Sequence, residues 1–220
     1  MNAVQTQAAP MVRLSWQKHL LLIAILCVPG ITWLSTTGNV ADYWLYSVPA
    51  GQVIYLFSKL TGLYAFVVFW MQITYGLLGS RRARWGVEAG LAFHRRLGVL
   101  LISLAVAHVV LFLLGVGIRT QHFPVQYITP TFSSGYYRMI ITLGMFAAML
   151  LIVAFTFGLI RRVVPRIWRY VHWLAVPAYA LAFVHSLLIG SESRIAPMTL
   201  LYAAMAGMVA LALIWRARGV

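Results

Sequence analysis

Apolar residues in this chain come in long runs, separated by short polar, basic or aromatic stretches. Crossing the hydrocarbon of a bilayer as a helix takes roughly 18 or more such residues. Six runs approach or reach that length: Leu20 to Ser35, Val53 to Gly79, Leu97 to Gly117, Met139 to Ile160, Tyr170 to Gly190 and Pro197 to Trp215. The pattern predicts an all-α membrane protein, a six-transmembrane-helix bundle over residues 19–216, with a segment 1–18 before it and a short tail 217–220 after it. The first run is the shortest and follows Arg13 and Lys18, as the core of a secretory signal would. No small-x-small cleavage pattern follows it cleanly, however, and Trp33, Tyr43 and Trp44 read as an interfacial aromatic belt, so it is expected to be a retained anchor.

Composition narrows the class further. The chain is 62% hydrophobic and has only three acidic residues in 220, which excludes a soluble globular domain. Its formal charge of +14 is distributed unevenly. Of 17 Lys and Arg residues, 13 lie in the amino-terminal segment, the second and fourth connections and the carboxyl-terminal tail. Arg119, Arg138 and Arg194 are the ones in the other three connections, and Lys59 lies within the second run. By the positive-inside rule this puts both termini in the cytoplasm, together with the clusters Arg81, Arg82, Arg84, Arg95, Arg96 and Arg161, Arg162, Arg166, Arg169. The basic residues flank spans instead of interleaving with a soluble aromatic platform, so no nucleic-acid partner is expected.

Four histidines stand out against this background. His94 and His108 are fourteen residues apart, and His172 and His185 thirteen apart, in the third and fifth spans, which run in the same direction. At about 1.5 Å rise per residue, the members of each pair are separated by roughly 20 Å along the axis. Two levels result, with His94 opposite His172 near the cytoplasmic side and His108 opposite His185 toward the outer side. Each level offers two facing imidazoles, the axial set that haem iron takes. Zinc would want four ligands in one place. A proton relay would want acids in the spans, whereas Asp42, Glu88 and Glu192 fall in connections or at their edges. The plainer alternative is histidines hydrogen-bonded between helices, or interfacial ones in the case of His94 and His172. Thirteen residues at about 100° each leave a residual of roughly 140°, so the fifth span should bend or rewind between its histidines, where Pro177 removes a backbone donor.

The segments His94-Arg-Arg-Leu-Gly98 followed by His108, and Trp168-Arg-Tyr-Val-His172 followed by His185, resemble the paired haem-ligand helices of the ferric reductase-like transmembrane superfamily. That group includes ferric reductases, NADPH oxidases and the short haem-binding subunit of the bacterial periplasmic methionine sulfoxide reductase system. The resemblance implies two b-type haems carrying electrons across the membrane, with His94, His108, His172 and His185 as iron ligands. Only five residues follow Trp215, leaving no room for flavin and nicotinamide modules on this sequence, and no Gly-rich dinucleotide fingerprint is present. The donor is therefore expected to be a separate molecule: reduced flavin such as FMN from a cytoplasmic reductase, or a membrane quinol with quinone as the exchangeable group.

Arg95, Arg96 and Arg169 could pair with propionates of the inner haem, although their plainer role is as positive-inside anchors. Gly98 could leave room for a haem face or for close helix packing, and Tyr179 and Phe183 fall between the two levels. His19 and His122 lie outside the paired pattern, and Cys27 is alone, with no Cys-x-x-Cys-His attachment site, so any haem is held noncovalently. The expected function is a transmembrane electron-transfer cytochrome b subunit of an oxidoreductase, in a bacterial inner membrane. Its acceptor would be an outer-face redox protein, a ferric chelate or dioxygen. Two alternatives stay open: a quinol-linked cytochrome b anchor of a dehydrogenase or hydrogenase, and a haem-free transporter or scaffold.

Overall fold

A computed structural model describes residues 16–79, 87–133 and 135–218. Among them are α1 (Trp16–Thr37), α2 (Asp42–Leu45), α3 (Gln52–Gly79), α4 (Val87–Thr120), α5 (Tyr136–Leu159), α6 (Trp168–His172), α7 (Ala175–Ile189) and α8 (Ala196–Ala217), with 3₁₀ turns at Val125–Tyr127 and Glu192–Arg194. Six stretches are long and apolar enough to cross a membrane: His19–Thr37, Gln52–Leu78, Gly90–Thr120, Tyr136–Leu159, Trp168–Ile189 and Ala196–Ala217. They follow the six apolar runs in order. Two details differ from the sequence reading. α4 starts at Val87, so His94, Arg95 and Arg96 are helical and not part of a connection. Charge ends an apolar run but not a helix, and Leu91, Ala92, Arg95 and Arg96 are all good helix formers. The fifth span is two helices, α6 and α7, parted at Trp173 and Leu174. Arg13, Arg81, Arg82 and Arg84 lie outside the described residues.

α3 is the centre of the bundle. Half of its span is buried, against about a tenth of the third and fifth spans. It packs along α4 and also touches α1, α7 and α8, while α5 packs along α6 and α7. Phe66, Val67, Phe69, Trp70 and Ile73 of α3 form the core with Tyr179 of α7 and Met198, Tyr202 and Met205 of α8. Lipid gives apolar helices no reason to leave it, so fit and hydrogen bonds hold such contacts. One such bond runs from Trp33 Nε1 to the Leu56 carbonyl at 2.8 Å, tying α1 to α3. Gly51, at φ +77° before α3, lies so close to the Gly115 carbonyl of α4 that any Cβ there would collide with it. Two antiparallel hairpins result, α3/α4 and α5/α6–α7. α4 scarcely meets α7 through its backbone, which leaves a slot between them.

At the end of the slot opposite Arg161 to Arg169, the turn Glu192–Arg194 folds back into the bundle. Glu192 is 1% exposed and forms an ion pair with Lys59 of α3. It also accepts hydrogen bonds from Thr36 of α1 at 2.9 Å and from Ser191 at 3.1 Å. Burial pushes the Glu192 carboxyl up, but the Lys59 hydrogen bond and charge, its own backbone N–H and Thr36 outweigh this and hold it below its ordinary 4.5. A depressed carboxyl contributes fully above its ordinary value and loses that contribution as pH falls from there through its lowered value in the fold. Removing one partner of a buried pair costs about 3–5 kcal/mol, because the other charge is left buried. Lys59→Met should therefore lower the melting temperature of the detergent-solubilised protein at neutral pH. Its deficit should narrow in the acid range, where the unpaired carboxyl takes up a proton first and the wild type gives up its advantage only as pH falls below 4.5. Thermal unfolding measured across pH checks both effects.

Candidate functional site

Four imidazoles bridge the slot between α4 and α6–α7. The rings of His94 and His172 have centroids 6.1 Å apart at an interplanar angle of 74°, and those of His108 and His185 are 6.5 Å apart at 71°. Two imidazoles sharing one metal need two bonds of about 2 Å plus the distance from each nitrogen to its ring centre, or roughly 6 Å in all. Both levels meet that length. Among the described residues no three His, Cys, Asp or Glu side chains gather as a metal cluster. Each level thus supplies two ligands and no more, which fits a metal whose remaining positions are filled by a flat macrocycle.

A regular backbone device holds these rings. His108 Nδ1 donates to the Ser58 carbonyl at 2.7 Å, His185 Nδ1 to the Ile140 carbonyl at 2.8 Å and His172 Nδ1 to the Ala154 carbonyl at 3.1 Å. In a helix the side chain of residue i+4 lies over the carbonyl of residue i, since Cβ atoms tilt toward the amino terminus. At all three carbonyls the residue four positions on is glycine: Gly62, Gly144 and Gly158. A Cβ on Gly62 would stand 2.7 Å from His108 Nδ1, one on Gly144 2.6 Å from His185 Nδ1, and one on Gly158 3.6 Å from His172 Nδ1. Glycine therefore uncovers a carbonyl that an imidazole then takes. The bond fixes the tautomer with Nε2 free, the arrangement usual for metal-bound histidine. The sequence reading missed these glycines. The signal was present, because Gly62 and Gly76 on α3, and Gly144 and Gly158 on α5, are each fourteen apart, like His94 and His108.

The thirteen-residue spacing of the fifth span is reconciled in part by tighter winding. Trp173, Leu174 and Val176 donate their N–H groups three residues back, to the carbonyls of Tyr170, Val171 and Trp173, at 3.2, 3.0 and 3.0 Å. Pro177 follows, with no N–H to give. A 3₁₀ residue turns about 120° against about 100° in an α-helix. Each residue so wound adds about 20° of rotation, so these three bonds recover a part, about 60°, of the angle by which thirteen residues fall short of fourteen.

His94 is held differently. Its Nε2 lies 3.2 Å from the Gln72 amide nitrogen, and its Nδ1 is buried without a partner. Tyr75 stacks on the ring at 6.2 Å, and Trp168 lies 5.8 Å from His172, one turn before it on the same face. Gly98 serves close helix packing, one of the two purposes expected of it. A Cβ there would be 3.2 Å from the Gln72 amide and 3.8 Å from Phe155, so this glycine makes room for Gln72.

Between the levels, Tyr179 stacks on Phe66 at 5.5 Å and meets Phe69 edge-on, while Phe183 and Tyr202 close around Phe66 at 6.0 and 5.0 Å. Arg95, Arg96 and Arg169 are exposed. Arg95 and Arg96 line a surface groove with Val99, Leu100 and Ser103, on faces of α4 about 100° and 200° round from His94. His19, His122 and Cys27 are exposed and take no part in the slot.

Two imidazole levels on parallel spans, set in helices that cross a membrane, form a pattern that known proteins share. The family model of the ferric reductase like transmembrane component matches residues 61–183. The match takes in Gly62, His94, His108, Gly144 and His172 and stops two residues short of His185. No curated protein and no solved structure matches the chain. The matched segment is more than half of the sequence, and the chain belongs to the ferric reductase-like transmembrane family.

Proposed function

We propose that the protein is a transmembrane electron-transfer cytochrome b subunit holding two b-type haems, one between His94 and His172 and one between His108 and His185. The observation that carries this reading is the pair of ring separations, 6.1 and 6.5 Å, in a chain whose family commonly binds haem. When bound, haem supplies reversible one-electron chemistry at its iron. The chain's part is to aim the imidazoles. The Ser58, Ile140 and Ala154 carbonyls orient His108, His185 and His172 by taking their Nδ1–H groups. Phe66, Phe69, Tyr179, Phe183 and Tyr202 exclude water from the space between the levels. Arg95, Arg96 and Arg169 sit at the end carrying the His94–His172 level, where propionates of the inner haem could reach them.

The charge distribution supports a cytoplasmic position for that basic end, in a bacterial inner membrane. Electrons then enter from reduced flavin or quinol there and leave at the His108–His185 level to an outer-face redox protein, ferric chelate or dioxygen. A dithionite-reduced minus oxidised spectrum, with haem quantified per chain by pyridine haemochrome, tests the reading. Two b-type haems are expected, falling to one in His108→Ala. No haem after expression with haem supplied would overturn the reading in favour of a transporter or scaffold. Oxidation by the purified protein of quinol but not of reduced flavin would favour the anchor of a dehydrogenase or hydrogenase.

A further inference from the structure

The device that holds the histidines repeats every fourteen residues on α3 and on α5, and one of its four copies is altered. On α5, Ile140 with Gly144 serves His185, and Ala154 with Gly158 serves His172. On α3, Ser58 with Gly62 serves His108, and fourteen residues on come Gln72 and Gly76, with His94 beside them. A Cβ on Gly76 would be 3.4 Å from His94 Cε1, so the glycine clears the ring here too. Yet the His94 Nδ1 is not on the residue 72 carbonyl. The side chain of Gln72 meets the ring in its place, and Gly98 of α4 gives it room.

Two orphans lie side by side at this point. Gln72 Oε1 is buried without a donor, and His94 Nδ1 is buried without a partner. Buried polar groups are rarely left so, and the two side chains already touch, through Gln72 Nε2 and His94 Nε2 at 3.2 Å, which leaves the acceptor of one and the Nδ1 of the other unused. Resting on the haem reading above, we propose that Gln72 is the positioning residue of the His94–His172 level. With the imidazole turned over about its Cβ–Cγ bond, which takes Nε2 off the amide and brings Nδ1 to that side, the Gln72 side-chain carbonyl takes the Nδ1–H of His94 in place of a main-chain carbonyl and Nε2 is left to the iron. Ile140 and Ala154 work through the backbone, and so does Ser58, whose hydroxyl also stands 3.3 Å from His108 Nδ1, so changing these side chains leaves the accepting carbonyl in place. At Gln72 the acceptor is a side chain, and this is the level whose potential a single substitution can tune in either direction.

A stronger acceptor on Nδ1–H makes imidazole more basic and favours oxidised iron, and a missing acceptor does the reverse. The test is a potentiometric titration of the purified, haem-loaded protein that resolves two components, repeated in Gln72→Glu and Gln72→Leu, with haem counted per chain. Gln72→Glu is expected to lower the midpoint of one component and Gln72→Leu to raise that same one, while the other stays at its wild-type value. Loss of one haem from Gln72→Leu alone, with two kept in Gln72→Glu, would also support the assignment, because only the acceptor distinguishes the two variants. Shifts of the same sign in both variants, movement of both components together, no shift at all, or loss of haem from both would overturn it, leaving Gln72 as filler. A wild type without haem overturns the haem reading itself, and so is distinct from every outcome at Gln72.

Discussion

Gly144→Ala should empty the His108–His185 level and leave the protein with one haem per chain. The new methyl would stand 2.6 Å from His185 Nδ1 and 2.7 Å from its Cε1, well inside contact distance, with the ring pinned between α5 and α7. Only withdrawal of the imidazole relieves this, and withdrawal breaks the bond to the Ile140 carbonyl. Loss of an orienting bond alone lowers metal affinity about 10–100-fold, and here the ligand itself is displaced. Gly62→Ala should do the same through His108, where the gap is 2.7 Å. The other two glycines are the controls. At Gly76 and Gly158 the gaps are 3.4 and 3.6 Å, so alanine there should keep two haems. Pyridine haemochrome on monodisperse protein reads the contrast. Two haems in Gly144→Ala would mean that the glycine is incidental.

A single alanine inserted between Ala180 and Leu181 should have as large an effect by a different route. It lengthens the interval between His172 and His185 from thirteen residues to fourteen. In a straight α-helix that change would improve their alignment. Here both rings already face α4, with the 3₁₀ bonds of Trp173, Leu174 and Val176 supplying part of the rotation, so the insertion turns His185 away by about 100° and shifts it by about 1.5 Å. The His108–His185 level is expected to lose its haem, the His94–His172 level to keep one, and electron flow to an impermeant acceptor outside liposomes to fall to background. Combining the insertion with Gly144→Ala should cost no further haem, since both act on one ring. A variant with two haems would show that the span rewinds to fit.

The six spans were legible because lipid demands long apolar runs and nothing else in a sequence of this length supplies them. That His94 stands near His172, and His108 near His185, follows from two similar spacings on spans running the same way. Even the rewound fifth span left a trace, in a phase that does not close and in Pro177 beside it. What escaped notice depended on a second helix. Gly62, Gly76, Gly144 and Gly158 look like ordinary small residues of a packed bundle until the imidazole against each is known. Gln72 looks like one polar residue in a long run, and its meaning comes from Gly98 and His94 across the helix interface. Glu192 reads as a solvated loop carboxylate, whereas Lys59 and Thr36 draw it inward. The Arg95 and Arg96 side chains belong to a helix surface because α4 runs past the point where hydropathy ends.

The glycine device also gives the fold an internal repeat. Ser58, Gly62, Gln72 and Gly76 on α3 recur 82 residues later as Ile140, Gly144, Ala154 and Gly158 on α5, and each helix is followed by a partner carrying two histidines. The histidine-bearing part of the molecule thus repeats one hairpin plan, with the two copies facing each other. Each copy has its internal contacts along its own length, and between α4 and α7 there is little backbone contact to join them. The two copies are joined instead where α3 packs on α7, through Phe66, Phe69 and Tyr179, and where the imidazoles meet in pairs across the slot.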